Sequence, residues 1–181
     1  MLQLKIAITP EGWDEEKEEF VDPQYITLEL EHSLVSLQQW ESKWLKPFLY
    51  TKKLSDEEVL DYIKCMTLTP NVDPAVYNLL TTSHIEQIHD YINAPMTATT
   101  FGTDGEGKRN REIITAEIIL YWMVSLQIPQ EYRTWHLNQL ITFIRVCSIK
   151  NAPAKKRNQR DTASHYKALN EARKQKLNTK G

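Results

Sequence analysis

The stretch Ser33-Leu34-Val35-Ser36-Leu37-Gln38-Gln39-Trp40-Glu41-Ser42-Lys43-Trp44 decides the fold class. Leu34, Leu37, Trp40 and Trp44 recur at helical spacing and share one face of an amphipathic helix. Ser33 stands where an N-cap hydroxyl is wanted, and Pro47 closes the run.

Toward the N-terminus the period changes. Leu2, Leu4, Ile6 and Ile8 alternate with Gln3, Lys5 and Ala7, and Tyr25 to Leu30 alternates again. This is the period of half-buried strands, so an antiparallel β pair is expected. The acidic run Asp14-Glu15-Glu16-Lys17-Glu18-Glu19 between them reads as an exposed loop. An isolated pair is marginal in water, so it must pack on the helices that follow.

Toward the C-terminus the helices continue. Ser55-Asp56-Glu57-Glu58 is a capping box, followed by Val59, Tyr62, Ile63 and Met66 on one face. Asp73-Pro74 starts a short helix. Ser83-His84-Ile85-Glu86 reads as a second capping box leading to Ile88, Tyr91 and Ile92. After a breaker-rich loop over 96–110, Ile113, Ile114, Ile118, Ile119, Tyr121, Trp122 and Val124 occupy nearly every face of one helix, which predicts a central, buried element. Beyond Pro129, Leu137, Leu140, Ile141, Ile144 and Cys147 form the face of the next helix, its expected antiparallel partner at the centre of the core.

The expectation is a mainly α fold: a helical core domain over 1–149 with a small N-terminal antiparallel β pair, and a basic extension over 150–181. The extension comprises a linker and a C-terminal helix from Asp161 to about Leu177. The apolar stripe of that helix is only Tyr166, Leu169 and Ala172, thin enough that it could order only on binding.

Hydrophobic residues make up 41% of the 181 and charged residues 25%, which excludes a wholly disordered chain and a collagen-like repeat. Cys65 and Cys147 sit in apolar helical patterns and read as buried free thiols. No apolar run approaches the roughly 20 residues that a membrane span needs, and no secretory signal is visible. The formal net charge of -2 hides a polarity. Residues 1–31 hold nine acidic and two basic residues, and residues 150–181 hold ten basic and two acidic.

The motifs that suggest catalysis fail on inspection. Gly102-Thr103-Asp104-Gly105-Glu106-Gly107-Lys108 matches a phosphate-binding loop in spacing. However, Arg109 replaces the hydroxyl that would ligand magnesium, and two carboxylates would sit inside the cradle. His84 and His89, flanking Glu86, are five apart and lie on different helix faces, so no metal site is expected. His136 reads as a capping or core-edge residue. No enzyme activity and no cofactor are expected.

Several segments resemble a known family as a set: Leu30 to Leu37, Trp40 to Trp44, Asp61 to Thr69, Ala94 to Phe101, Arg111 to Ile114, Tyr121 to Met123, Trp135 to Asn138 and Leu177 to Gly181. Over nearly its whole length the chain resembles the tail assembly chaperones of long-tailed bacteriophages (siphoviruses). It departs from them at Gln130-Glu131-Tyr132, where members carry Phe-Glu-Cys after the proline. The resemblance implies a protein that binds the tape measure protein in the host cell cytoplasm. Such a protein keeps that long helical client soluble, helps tail tube subunits polymerise around it, and is absent from the finished virion. Many members are made in two forms, the longer by ribosomal frameshift. The alternative is a structural tail or neck component of the virion.

The expected partners are the tape measure protein and the tail tube protein, with a second copy of the chain also open. Nucleic acid is disfavoured, because only Tyr166 could stack a base and no nucleic-acid motif is present. A membrane is not expected. The residues expected to meet the partner are Lys155, Lys156, Arg157, Arg160, Tyr166, Leu169, Arg173, Lys174 and Lys176.

Overall fold

The structure is a computed structural model that describes residues 1–9, 12–14, 19–101, 113–152 and 159–177. The fold is mainly α with a small N-terminal antiparallel sheet. Its contacts divide the chain into two compact units, Met1–Ser148 and Ile149–Gly181.

The first unit begins with β1 (Leu2–Thr9), β2 (Gly12–Asp14), β3 (Glu19–Val21) and β4 (Gln24–Leu30). β1 pairs with β4 so that Leu2 faces Leu30, Leu4 faces Leu28 and Ile6 faces Ile26. Leu4, Ile6, Leu28 and Leu30 are fully buried. The two-residue period thus gives the sheet one face for the core and one for solvent. A second antiparallel pair, β2 with β3, flanks the acidic run and takes in its end residues Asp14 and Glu19, while residues 15–18 of the expected loop lie outside the described residues. Alternation there is too short to register as a strand pattern in sequence. Past Leu30 the free edge of β4 meets the segment after the second helix: Glu31 N–H donates to Met66 O at 2.8 Å, and Leu68 N–H to Glu29 O at 2.7 Å. That segment covers an edge that would otherwise present unpaired backbone groups.

The helices of this unit are α1 (Leu34–Trp44), α2 (Asp56–Met66), α3 (Thr82–Asn93), α4 (Ala116–Ser125) and all but the last three residues of α5 (Leu137–Asn151). Single 3-10 segments lie at Phe48–Tyr50, Pro74–Leu79 and Gln130–Thr134. Ser33 and Ser36 cap α1 reciprocally, each hydroxyl accepting the other's backbone N–H. Ser55 and Glu58 do the same for α2. For α3 the box is displaced from the expected site: Thr81 is the N-cap, its hydroxyl accepting from His84 N–H while His84 Nδ1 accepts from Thr81 N–H. The sequence motif misled because imidazole at the third helical position substitutes for the usual Glu or Gln.

Two apolar clusters form the core, and α1 joins them. Trp40 belongs to the first, with the sheet, α2 and α3; Leu34 and Leu37 belong to the second, with α4 and α5. Trp40 is fully buried and donates its indole N–H to Glu58 O at 2.9 Å. It lies edge-on to Phe48 and Tyr62, which stack with centroids 4.0 Å apart. The α4–α5 pair was expected at the centre, but that place belongs to α1. On α4, only Ala116, Ile119 and Met123 are buried, while Tyr121 and Val124 are 65% and 63% exposed. The all-round apolar pattern of α4 therefore marks an uncovered outer face, not a buried element. Cys65 and Cys147 are free and only half-buried, and burial pushes the Cys65 thiol above its usual value.

The second unit contains α6 (Gln159–Leu177). Every residue of α6 from Ala163 to Leu177 is exposed.

Candidate functional site

Three features could carry function: the basic helix of the second unit, an apolar groove on the first, and a buried polar junction in the first.

On α6, Tyr166, Leu169, Arg173 and Leu177 are spaced three, four and four apart and align on one face. Tyr166 is 61% and Leu169 39% exposed. Lys167, Arg173, Lys174 and Lys176 are exposed and form no ion pair among the described residues. Residues Ala163, Tyr166, Asn170, Arg173 and Leu177 border a shallow open strip along the helix. Of the expected partner-binding residues, this helix gathers Tyr166, Leu169, Arg173, Lys174 and Lys176. Arg160 falls within α6, but its side chain lies outside the described residues, as do Lys155, Lys156 and Arg157. The phosphate-loop-like segment 102–108 also lies outside them.

The groove was not anticipated. It runs between α2, α3 and the 45–55 connection, holds about 410 Å³, and is lined by Phe48, Leu54, Val59, Ile85, Ile88 and Ile92. Tyr62 and Ile63 are buried at its floor. A second depression of about 440 Å³, between α2 and the Pro74–Leu79 segment, shares Val59 and Ile85 with it. The helical period alone could not reveal a groove, because Val59, Ile85 and Ile92 fit the same pattern whether or not a neighbour covers them.

The junction joins β4, α2, α3 and α5. His32 Nδ1 lies 2.5 Å from the Tyr62 hydroxyl. His136 Nε2 meets Tyr91 O at 3.0 Å, and its Nδ1 accepts from Asn138 N–H at 3.3 Å. Those contacts assign the His136 proton to Nε2. Tyr91 donates its hydroxyl to Glu31 at 2.6 Å, and Glu31 pairs with the N-terminal ammonium at 2.9 Å. Asn138 donates its amide to Ile92 O and Ala94 O. Burial pulls His32 down to about 3, helped by its neighbour His136, and burial likewise lowers His136. Burial drives the Tyr62 and Tyr91 hydroxyls upward. Both imidazoles are closed off from solvent, so the cluster pins elements together and offers no reacting atom to a substrate. His84 and His89, by contrast, serve the cap of α3 and contact Asn93.

Glu41 is a further buried carboxylate whose role the sequence did not signal. Its two oxygens accept from Phe48 N–H at 2.9 Å and from Ala116 N–H at 2.7 Å. It thereby caps α4 from α1 and fixes one wall of the groove. Among the described residues no helix is long and apolar enough to cross a membrane.

No family model, curated protein or solved structure matches the chain.

Proposed function

We propose that this chain is a tail assembly chaperone of a long-tailed bacteriophage. In this reading it binds the tape measure protein in the host cytoplasm, keeps that client soluble and helps the tail tube assemble. The observation that carries the reading is α6: a basic helix exposed from Ala163 to Leu177, with Tyr166 and Leu169 on one side and around them cations that form no ion pair among the described residues. A client with exposed apolar helical surface is held by apolar grooves and helix faces. The sequence resemblance supports the same reading. The test is coexpression with the tape measure protein of the same phage. The expected result is more soluble client and a copurifying complex; unchanged solubility and no complex would refute the proposal.

A second reading, a structural tail or neck component, is favoured by the uncovered face of α4. Tyr121 and Val124 there suit a permanent contact between subunits. Mass spectrometry of purified virions separates the two: many copies per particle support the structural component, and absence supports the chaperone.

A further inference from the structure

We infer that the groove between α2 and α3 is a docking site for a basic amphipathic α-helix. This deepens the chaperone reading and rests on it for the identity of the client, but the site itself is argued from the groove. Two adjoining depressions meet at Val59 and Ile85. One face of a helix presents successive apolar anchors three or four residues apart, and two such anchors suit two adjacent depressions. Phe48, Ile88 and Ile92 supply the apolar wall for one anchor, and Leu60, Tyr77 and Leu80 for the other.

The charges around the groove choose the sign of the partner. Asp56 and Glu57 stand exposed at the start of α2, and Glu86 and Asp90 stand exposed on α3. Among the described residues Asp56, Glu57 and Glu86 have no ion pair, and Asp90 has only the His89 ring at 3.9 Å. Lys52 and Lys53 lie on the connection between Thr51 and Leu54, and Lys64 stands over the Tyr77 ring that lines the second depression, its Nζ 5.5 Å from the centroid. Asp56 lines the second depression, and Glu86 and Asp90 line a third that shares Ile85 and His89 with the groove, so the lining is net negative. Lys and Arg flanking the apolar stripe of a partner helix would complement Glu86 and Asp90. Lys52 and Lys53 would suit the C-terminal end of that helix, where its dipole is negative.

The experiment measures binding of two fluorescent 18-residue peptides to the full chain by anisotropy. Both carry the same leucine stripe on an alanine helix, one flanked by lysines and the other by glutamates. The lysine peptide should bind roughly tenfold more tightly, the sum of several exposed charge pairs. Ile85→Glu should weaken it by at least about tenfold by putting a carboxylate at the apolar junction. The double variant Glu86→Lys/Asp90→Lys changes only exposed residues and should reverse the preference between peptides. Thermal melting of each variant confirms that it is folded. Equal binding of the two peptides, no binding, or full binding by folded Ile85→Glu would overturn the inference. So would self-association that accounts for the whole signal, because the occupant would then be a second copy. Client solubility that is rescued by wild type and by folded Ile85→Glu alike sinks the groove and leaves the chaperone reading standing. Peptide selectivity without rescue of the tape measure protein does the reverse.

Discussion

The rings of His32 and His136 meet edge-on in the core, with centroids 5.2 Å apart. Each comes from a different part of the chain, and the backbone joins them as well: Leu137 N–H donates to His32 O at 2.7 Å. Two neighbouring imidazoles can share a buried site only while uncharged. The start of α5 is therefore held to the β4–α1 turn by groups that fold in their neutral form.

Acid should loosen this junction. His32 lies at about 3 and His136 is also lowered, whereas both titrate near 6.5 once unfolded. Between those values the unfolded chain binds more protons, so stability is full above about pH 6.5 and falls as the pH drops toward 3. The slope is at most about 1.4 kcal/mol per pH unit for each histidine. Glu58, held down by Lys46, and Asp61, where Lys43 and Trp44 outweigh burial, lose their contribution only below the ordinary carboxylate range. Glu41, raised by burial, acts in the opposite direction. Between pH 7 and 5 the difference between wild type and His32→Gln in urea unfolding therefore reads the histidine, since Glu41 is common to both. The wild type should lose stability across that window and His32→Gln should lose less. Equal slopes would show that the pair does not control acid sensitivity.

Glu41 should be costly to remove. Truncation to alanine leaves the N–H groups of Phe48, partly buried, and Ala116, buried, without their acceptor. Each orphaned donor costs roughly 1–3 kcal/mol, so Glu41→Ala should destabilise by about 2–6 kcal/mol. Glu41→Gln keeps one acceptor oxygen and should fall between the two. Denaturant titration gives the free energies. Hydrogen exchange at Ala116 should accelerate in the alanine variant, and a protected amide there would contradict the bridging role.

The cap of α3 distinguishes two neighbouring hydroxyls. Thr81→Ala removes the acceptor for His84 N–H and should cost about 1 kcal/mol. Ser83 lies inside the helix and makes an exposed contact with Gln87, so Ser83→Ala should change stability by less than about 0.5 kcal/mol. Paired thermal melts decide the matter, and a larger loss at Ser83 would restore the cap to the site that the Ser-x-x-Glu pattern suggests.

Local chemistry explains which features were legible from sequence. Ser33 and Ser55 announced their helices because a cap is a contact within one turn, and Leu2 to Ile8 announced a strand because pleating acts residue by residue. The exposed face of α4 was not legible, since Tyr121 and Val124 satisfy a buried pattern as well as an uncovered one. The junction and the Glu41 bridge were not legible either. Glu41 meets Ala116 across 75 positions and His136 meets Tyr91 across 45, and periodicity carries no information at that range. Of the expected partner-binding residues, Tyr166, Leu169, Arg173, Lys174 and Lys176 share a single helix because their spacing alone fixes that.

The α6 helix should separate function from stability. Tyr166 and Leu169 are exposed and lie outside the Met1–Ser148 unit, so Tyr166→Ala/Leu169→Ala should leave the melting of that unit within about 0.5 kcal/mol of wild type. Under the chaperone reading the same pair removes the apolar strip offered to the client. The yield of soluble tape measure protein on coexpression should then fall several-fold. Arg173→Glu/Lys174→Glu should lower it too, and added salt should weaken wild-type capture if those cations make the contact. Unaltered capture by both double variants would remove this face of α6 from the binding surface and turn the search to the groove between α2 and α3.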